Sequence, residues 1–193
     1  MTGGCGFSMH GFGSKNAYVN NFVTEGNIVY NANTYLIGGG RPSQHICVRN
    51  NYLYNVGTME LGTGPKLNED LVVRDNLIVN GELKIGNWKP IVNERNLVLT
   101  KGAARPKGAK IVLRPNKYDP ARANVAIFNW EEKESVEVDA VGFLKPGEHY
   151  RFMDPKDVFG KPLLSGTCDG KPIKVPMTGE FAAFVLLKDN VPQ

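Results

Sequence analysis

Four copies of one short phrase, spread over residues 22–100, constrain this chain more than any other feature. They are Glu-Gly-Asn-Ile-Val-Tyr-Asn (25–31), Arg-Asn-Asn-Tyr-Leu-Tyr-Asn (49–55), Arg-Asp-Asn-Leu-Ile-Val-Asn (74–80) and Glu-Arg-Asn-Leu-Val-Leu-Thr (94–100). The third residues, Asn27, Asn51, Asn76 and Asn96, recur at intervals of 24, 25 and 20. A recurrence of that length signals stacked repeats. Helical solenoids do not fit, because the apolar residues alternate with a period of two and Gly, Asn and Pro interrupt them every few positions. The Leu-x-x-Leu-x-Leu frame of leucine-rich repeats is absent as well. A right-handed parallel β-helix of about four coils remains.

Aligned on the asparagines, each coil predicts three strands. The first are Phe22–Glu25, Ile46–Arg49, Leu71–Arg74 and Ile91–Glu94. The second are Ile28–Tyr30, Tyr52–Tyr54, Leu77–Val79 and Leu97–Leu99, and the third Tyr35–Gly38, Met59–Gly62 and Leu83–Gly86. Equivalent residues of successive coils then lie about 4.8 Å apart, so columns matter more than sequence neighbours. The repeated Asn is expected to take the tight turn with positive φ and to stack its amide along the column. Alternation sends Phe22, Ile46, Leu71 and Ile91 inward and leaves Val23, Cys47, Val72 and Val92 outward, apolar enough to predict a cover.

The third strand is the chemically suggestive one. Its outward column is predicted to hold Ser8, Leu36, Glu60 and Lys84, beside a glycine column of Gly38, Gly62 and Gly86 that would make a shallow floor for a sugar ring. The loops leaving it carry Lys15, Arg41, His45, Lys66 and Trp88, and functional residues concentrate on such loops.

After Thr100 the pattern changes. Residues 101–110 have a linker composition, and seven stretches of alternating residues over 111–193 predict a small antiparallel β-sandwich. The domains expected are thus coils over 1–100, a linker over 101–110 and a sandwich over 111–193. The 22 glycines, 12 prolines and 41% apolar content suit such a turn-rich all-β chain.

A net charge of +4 without any Lys/Arg block gives no nucleic-acid footprint. Three cysteines are too few and too uneven for a disulfide framework or a zinc site. No apolar run is long enough for a membrane span, and the N-terminus carries no secretion signal. Met1 opens directly onto what reads as the interior of a repeat, which predicts a fragment of a longer exported chain.

Gly-Phe-Ser-Met-His-Gly-Phe-Gly-Ser (6–14) followed by Tyr-Val-Asn-Asn-Phe-Val-Thr-Glu-Gly-Asn-Ile-Val-Tyr-Asn (18–31) resembles the pectate-lyase-like superfamily of right-handed β-helix proteins, polygalacturonase-type enzymes especially. The resemblance covers residues 3–100. Arg-Pro-Asn-Lys-Tyr (114–118) and Ala-Asn-Val-Ala-Ile-Phe-Asn-Trp (123–130) are similar to the β-sandwich appended to many carbohydrate-active enzymes. Together they imply a polysaccharide-active protein, extracellular or periplasmic in its full-length parent, acting on an acidic, uronate-containing glycan. The polygalacturonase acid pair is absent from the matching strands, and His10 follows the strand motif where that family has its His before it. Elimination is therefore the expected chemistry ahead of hydrolysis. It needs a base and a cation on the uronate carboxylate. His10 or Lys84 would be the base, Arg41 or Lys15 the carboxylate partner, and Glu60 the one acid on the face. Ser8, His45 and Trp88 complete the candidate set.

Each of these residues also has a plainer role. His10 suits a turn, Lys84 an ion pair with Glu60, Lys15 and Arg41 solvated loop charges, Ser8 a surface hydroxyl and Trp88 core packing. Acidic β-helix lyases often use Ca²⁺, which takes six to eight oxygen ligands. No carboxylate cluster on these columns predicts a metal site, so the cofactor stays open. The competing expectation is a glycan-binding or adhesive module without chemistry, or an inactive fragment of a larger enzyme.

Overall fold

The computed structural model describes residues 5–9, 19–38 and 41–189. The chain divides into two compact units, Met1–Ala104 and Arg105–Gln193.

In the first unit, β1 (Cys5–Met9), β3 (Ile28–Ile37), β5 (Tyr52–Leu61), β7 (Leu77–Val79) and β10 (Leu97–Leu99) form one parallel stack, with β8 (Glu82–Ile85) also paired to β5. A second parallel stack contains β2 (Asn20–Glu25), β4 (Gln44–Arg49), β6 (Asn68–Arg74) and β9 (Trp88–Glu94). The chain winds through both in a parallel β-helix of about three turns. β9 and β10 begin another turn, which lacks a third strand because a turn at Lys101 and Gly102 ends it.

Three separate strands per coil were expected, yet in the first two described turns the second and third merge into the ten-residue strands β3 and β5. The chain bends inside them at Asn31 and Asn55, with φ of 52° at both. Only at Asn80 (φ 55°), followed by Gly81, does the bend break the ladder into β7 and β8.

The repeated asparagine also departs from expectation in a definite way. Positive φ falls one residue earlier, on Gly26, Asn50, Asp75 and Arg95. That left-handed residue turns the chain so that the following Asn aims its amide into the coil. Asn51 Oδ1 accepts from Asn27 N and Nδ2, at 3.1 and 2.8 Å. Its own Nδ2 donates to Asn76 Oδ1 at 3.0 Å and to the Thr24 carbonyl at 3.1 Å. Asn76 repeats the arrangement with Asn96 and the Val48 carbonyl. A ladder buried in this way satisfies every polar atom it removes from water.

Arg95 is an unusual residue for a left-handed position. Its guanidinium grips Asp75 in a two-pronged contact of 2.7 and 2.9 Å, which opposes the backbone strain. The same guanidinium holds the Asp75 carboxyl below its ordinary range.

Around the ladder the core is made of Ile46, Val48, Leu53, Val56, Met59, Leu61, Leu71, Val73 and Ile78. Burying such side chains stabilises by about 1.5–3 kcal/mol each. Among the outward apolar residues for which a cover was expected, Val23 and Val92 are exposed and Cys47 and Val72 half-buried.

Tyr35 is wholly buried inside the coil, its hydroxyl bonded to Thr24 Oγ1. Burial pushes its phenol up to about 12, whereas an unfolded tyrosine ionises near 10. Its contribution to stability is therefore complete below about pH 10 and is lost as pH rises through about 12. Tyr35→Phe should cost about 1 kcal/mol at neutral pH. It should also flatten the fall in urea midpoint between about pH 9 and about pH 11. An equal fall in both proteins would contradict this.

The second unit contains β11 (Ala109–Pro115), β12 (Arg122–Asn129), β13 (Ser135–Val138), β14 (His149–Met153), β15 (Leu164–Thr167), β16 (Ile173–Pro176) and β17 (Phe181–Asp189). These lie over the seven alternating stretches of the sequence. Five form an antiparallel sheet in the order β11-β12-β17-β14-β15, and β13 pairs with β16. The two sheets enclose one core, with Val125, Ile127, Phe152, Phe184 and Leu186 from the larger and Val136, Val138, Ile173 and Val175 from the smaller. Phe152 and Phe184 meet edge to face, 5.5 Å between centroids. Asn129, wholly buried, accepts from Lys133 N and donates to the Lys133 and Gly179 carbonyls, tying two turns to the strand end.

Candidate functional site

The outward face of the third-strand stack is set by its register. Ser8 pairs with Leu36, Leu36 with Glu60 and Glu60 with Lys84. The flanking Tyr35, Ile37, Met59 and Leu61 are fully buried, so Leu36, Glu60 and Lys84 project outward by alternation. The neighbouring outward column is Thr34, Thr58 and Glu82.

Glu82 was not singled out from the sequence, where the third strand is expected to begin at Leu83. It stands one strand across and two residues along from Glu60, an offset of about 8 Å between Cα atoms at parallel-sheet spacing. The face therefore carries two carboxylates instead of the single one expected. Lys84 Nζ lies 3.5 Å from Glu82 Oε2, both exposed, so Lys84 pairs along its own strand and not with Glu60 across the coils.

Two of the three glycines of the expected floor, Gly38 and Gly62, are not open surface, whereas Gly86 is exposed. Gly38 and Gly62 are buried with φ of 89° and 77°. A Cβ on Gly38 would come within 3.0 Å of Gly62 Cα, and one on Gly62 would strike the Trp88 indole. These glycines let successive coils approach and turn. Trp88 is correspondingly 5% exposed, packed in the coil core with its indole N–H donating to the Leu61 carbonyl at 2.8 Å. It has the packing role and presents no ring for a sugar. Its position opens β9 opposite Asn68, in an inward column, instead of lying on a loop.

His45 lies at a left-handed corner of β4, φ 54°, in a column with Asn21 and Asp70 that shares this conformation. Its Nδ1 is 2.9 Å from Asp70 Oδ2, and both side chains are largely exposed. A carboxylate only accepts, so Nδ1 carries the proton in this contact. Asp70 is the second residue the sequence did not single out. Arg41 is half-buried at the start of the segment leading into β4, and Lys66 is exposed on the loop before β6. His10 and Lys15 lie outside the described residues, and for Ser8 only the strand pairing is described.

The face thus groups Glu60, Glu82 and Lys84, and a separate corner of the coil groups His45 with Asp70. Among the described residues no group of three or more His, Cys, Asp or Glu side chains could hold a metal ion, and no helix is long and apolar enough to cross a membrane. Cys47 and Cys168 are free thiols. No protein-family model, curated protein or solved structure matches the chain.

Proposed function

We propose that the first unit acts on an acidic polysaccharide laid across the outward third-strand face, hydrolysing it with Glu60 as proton donor and Glu82 as the base that activates water. The observation supporting this reading is the offset of the two carboxylates on adjacent stacked strands, about 8 Å between Cα atoms. Inverting hydrolysis uses carboxyl groups about 6.5–9.5 Å apart, leaving room for a water between sugar and base, a separation that flexible side chains projecting from Cα atoms at this offset can span. Lys84, beside Glu82, supplies positive charge for a uronate carboxylate. In this reading the coil is right-handed and pectate-lyase-like, the second unit is the β-sandwich of a carbohydrate-active enzyme, and the parent protein works outside the cytoplasm.

A second reading, elimination, draws on the His45 and Asp70 pair. Imidazole Nε2 is suited to removing the proton beside a uronate carboxylate, with Arg41 on that carboxylate.

One assay separates the outcomes. The chain is incubated with uronate polymers while reducing ends and the ultraviolet absorbance of unsaturated ends are both followed. Hydrolysis raises the first alone, and Glu60→Gln or Glu82→Gln should lower its rate by about 10²–10⁴-fold. Unsaturated ends lost in His45→Ala would favour elimination. Polymer binding without new ends would leave a glycan-binding module, and neither binding nor cleavage would overturn the proposal.

A further inference from the structure

The outward face of the stack β2, β4, β6 and β9 has a second pattern, read along its strands instead of down its columns. Each strand presents a corner residue, a small apolar side chain or thiol two positions on, and a charged residue two positions beyond that. The middle positions, Val23, Cys47, Val72 and Val92, form a stripe about 14 Å long at parallel-sheet spacing. Val23 is 56% and Val92 38% exposed, so the stripe meets water at both ends. A covering surface removes that unfavourable contact.

In β6 the three residues are Asp70, Val72 and Arg74: acid, apolar, base. Such a triplet complements a copy of itself running the opposite way, because Asp70 then meets Arg74, Val72 meets Val72 and Arg74 meets Asp70. Both charged groups have capacity for it. Arg74 makes no hydrogen bond or ion pair among the described residues, since Glu25 is held by Arg49, and Asp75 and Glu94 by Arg95. Asp70 uses Oδ2 on His45 Nδ1, which leaves Oδ1 to accept. The other rows tolerate the same arrangement. Asn21 comes opposite Glu25, an amide donor before a carboxylate, and His45 comes opposite Arg49, whose charge Glu25 balances at 2.9 Å. A copy inverted end over end is excluded by charge. Down the charged column the order is Glu25, Arg49, Arg74, Glu94, the same from either end. Inversion would set Arg49 against Arg74 and Glu25 against Glu94, like against like.

We propose that two copies of this chain join through this face, about a two-fold axis that runs along the coil stack through the stripe. The stripe is buried against its own copy, and Arg74 pairs with the partner's Asp70 on both sides of the axis. Four rows of three side chains are fewer than the roughly 20–30 residues a side of a standard interface, so the dimer is reversible. Glu60, Glu82 and Lys84 lie on the other stack, and pairing does not depend on cleavage.

Sedimentation of the full chain from about 10 μM to about 1 mM, the range for a small reversible interface, should show the mass rising toward that of two chains. Val72→Asp, which brings like charges together on the axis, should weaken association at least about tenfold, and so should Arg74→Glu or Asp70→Lys alone. Arg74→Glu combined with Asp70→Lys restores opposite charges at both ends of the triplet and should recover most of the association, which separates lost pairing from a damaged fold. A short bis-maleimide should link two copies through the Cys47 thiol on the axis, and Cys47→Ser should abolish the product. Glu60→Gln should associate as the unaltered chain does. The mass of one chain at every concentration, association unchanged by Val72→Asp, a double reversal no better than either single one, or growth beyond two copies would each overturn the proposal.

Discussion

Replacing Asn51 with alanine is expected to destabilise the first unit by about 3–5 kcal/mol, a large share of the stability of a domain this size. The side chain is completely buried and makes four hydrogen bonds, accepting from Asn27 N and Nδ2 and donating to Asn76 Oδ1 and the Thr24 carbonyl. Alanine takes the side-chain partner from Asn27 N and one bond each from Asn27 Nδ2, Asn76 Oδ1 and the Thr24 carbonyl in a dry space, although Asn27 Nδ2 still reaches Thr24 Oγ1 and Asn76 Oδ1 still accepts from the backbone N–H of residue 51, and an unsatisfied buried group costs about 1–3 kcal/mol. Partial relaxation keeps the sum below the simple total. Asn55 is the natural comparison. Its Oδ1 accepts from Asn80 Nδ2 at 2.9 Å, but that ladder is exposed, and water replaces what Asn55→Ala removes. Asn55→Ala should lose under about 1 kcal/mol beyond any strain at its left-handed φ. Urea unfolding of both variants measures the difference, and equal losses would show that burial of the ladder does not matter.

Gly62→Ala is the second large effect, at about 3–4 kcal/mol. Gly62 has a φ of 77°, which costs an L residue about 1–2 kcal/mol. Its new methyl would also strike the Trp88 indole and come within 3.0 Å of Asn68 Nδ2. Neither neighbour has room to retreat. Trp88 is in the core and tied to the Leu61 carbonyl, and Asn68 Oδ1 accepts from Ser43 N at 2.8 Å. Overpacking of this kind costs about 1–3 kcal/mol more. Gly142→Ala, where a Cβ meets nothing within 4 Å, should stay within about 0.5 kcal/mol of the unaltered chain. Loss of Trp88 emission or of the cooperative transition in Gly62→Ala would agree with the packing described, whereas a neutral result would contradict it.

The stacking of β3 on β5 and of β4 on β6 is legible in the sequence because a parallel coil repeats its constraints at every turn. Apolar alternation sets which residues face inward, and a polar side chain recurring at the same inward point must be satisfied by its own copies. Asn27, Asn51, Asn76 and Asn96 do this, so they mark the register. The corners were harder to read. Gly26, Asn50, Asp75 and Arg95 share a conformation and no side chain, so the sequence pattern points to their recurring neighbour as the residue with positive φ.

An error at a corner shifts the alternation beyond it. The sequence places Trp88 on a loop, although it begins β9 and faces inward, and starts the third strand at Leu83, although Glu82 begins β8 and faces outward. The pairing of Lys84 with Glu82 depended on rotamers that column logic leaves open. In the second unit each strand shows its own alternation, but not which strands become its neighbours. That His149 stands opposite Thr167 and Arg151 opposite Ser165 follows from β15 lying beside β14, a pairing that strand periodicity alone does not select.

The most direct test of the stacked coil is a set of methyl and amide cross-peaks in solution magnetic resonance, which report protons a few ångströms apart. Leu53 should contact Ile78, Ile46 should contact Leu71 and Val48 should contact Val73, residues some 25 positions apart in sequence held at the parallel spacing of about 4.8 Å. Those cross-peaks, with none of the close Cα proton pairs that antiparallel neighbours produce in this unit, are the result expected. Methyl groups at these positions that contact only their sequence neighbours, or partners in an antiparallel order, would contradict the fold and the carboxylate-bearing face built on it.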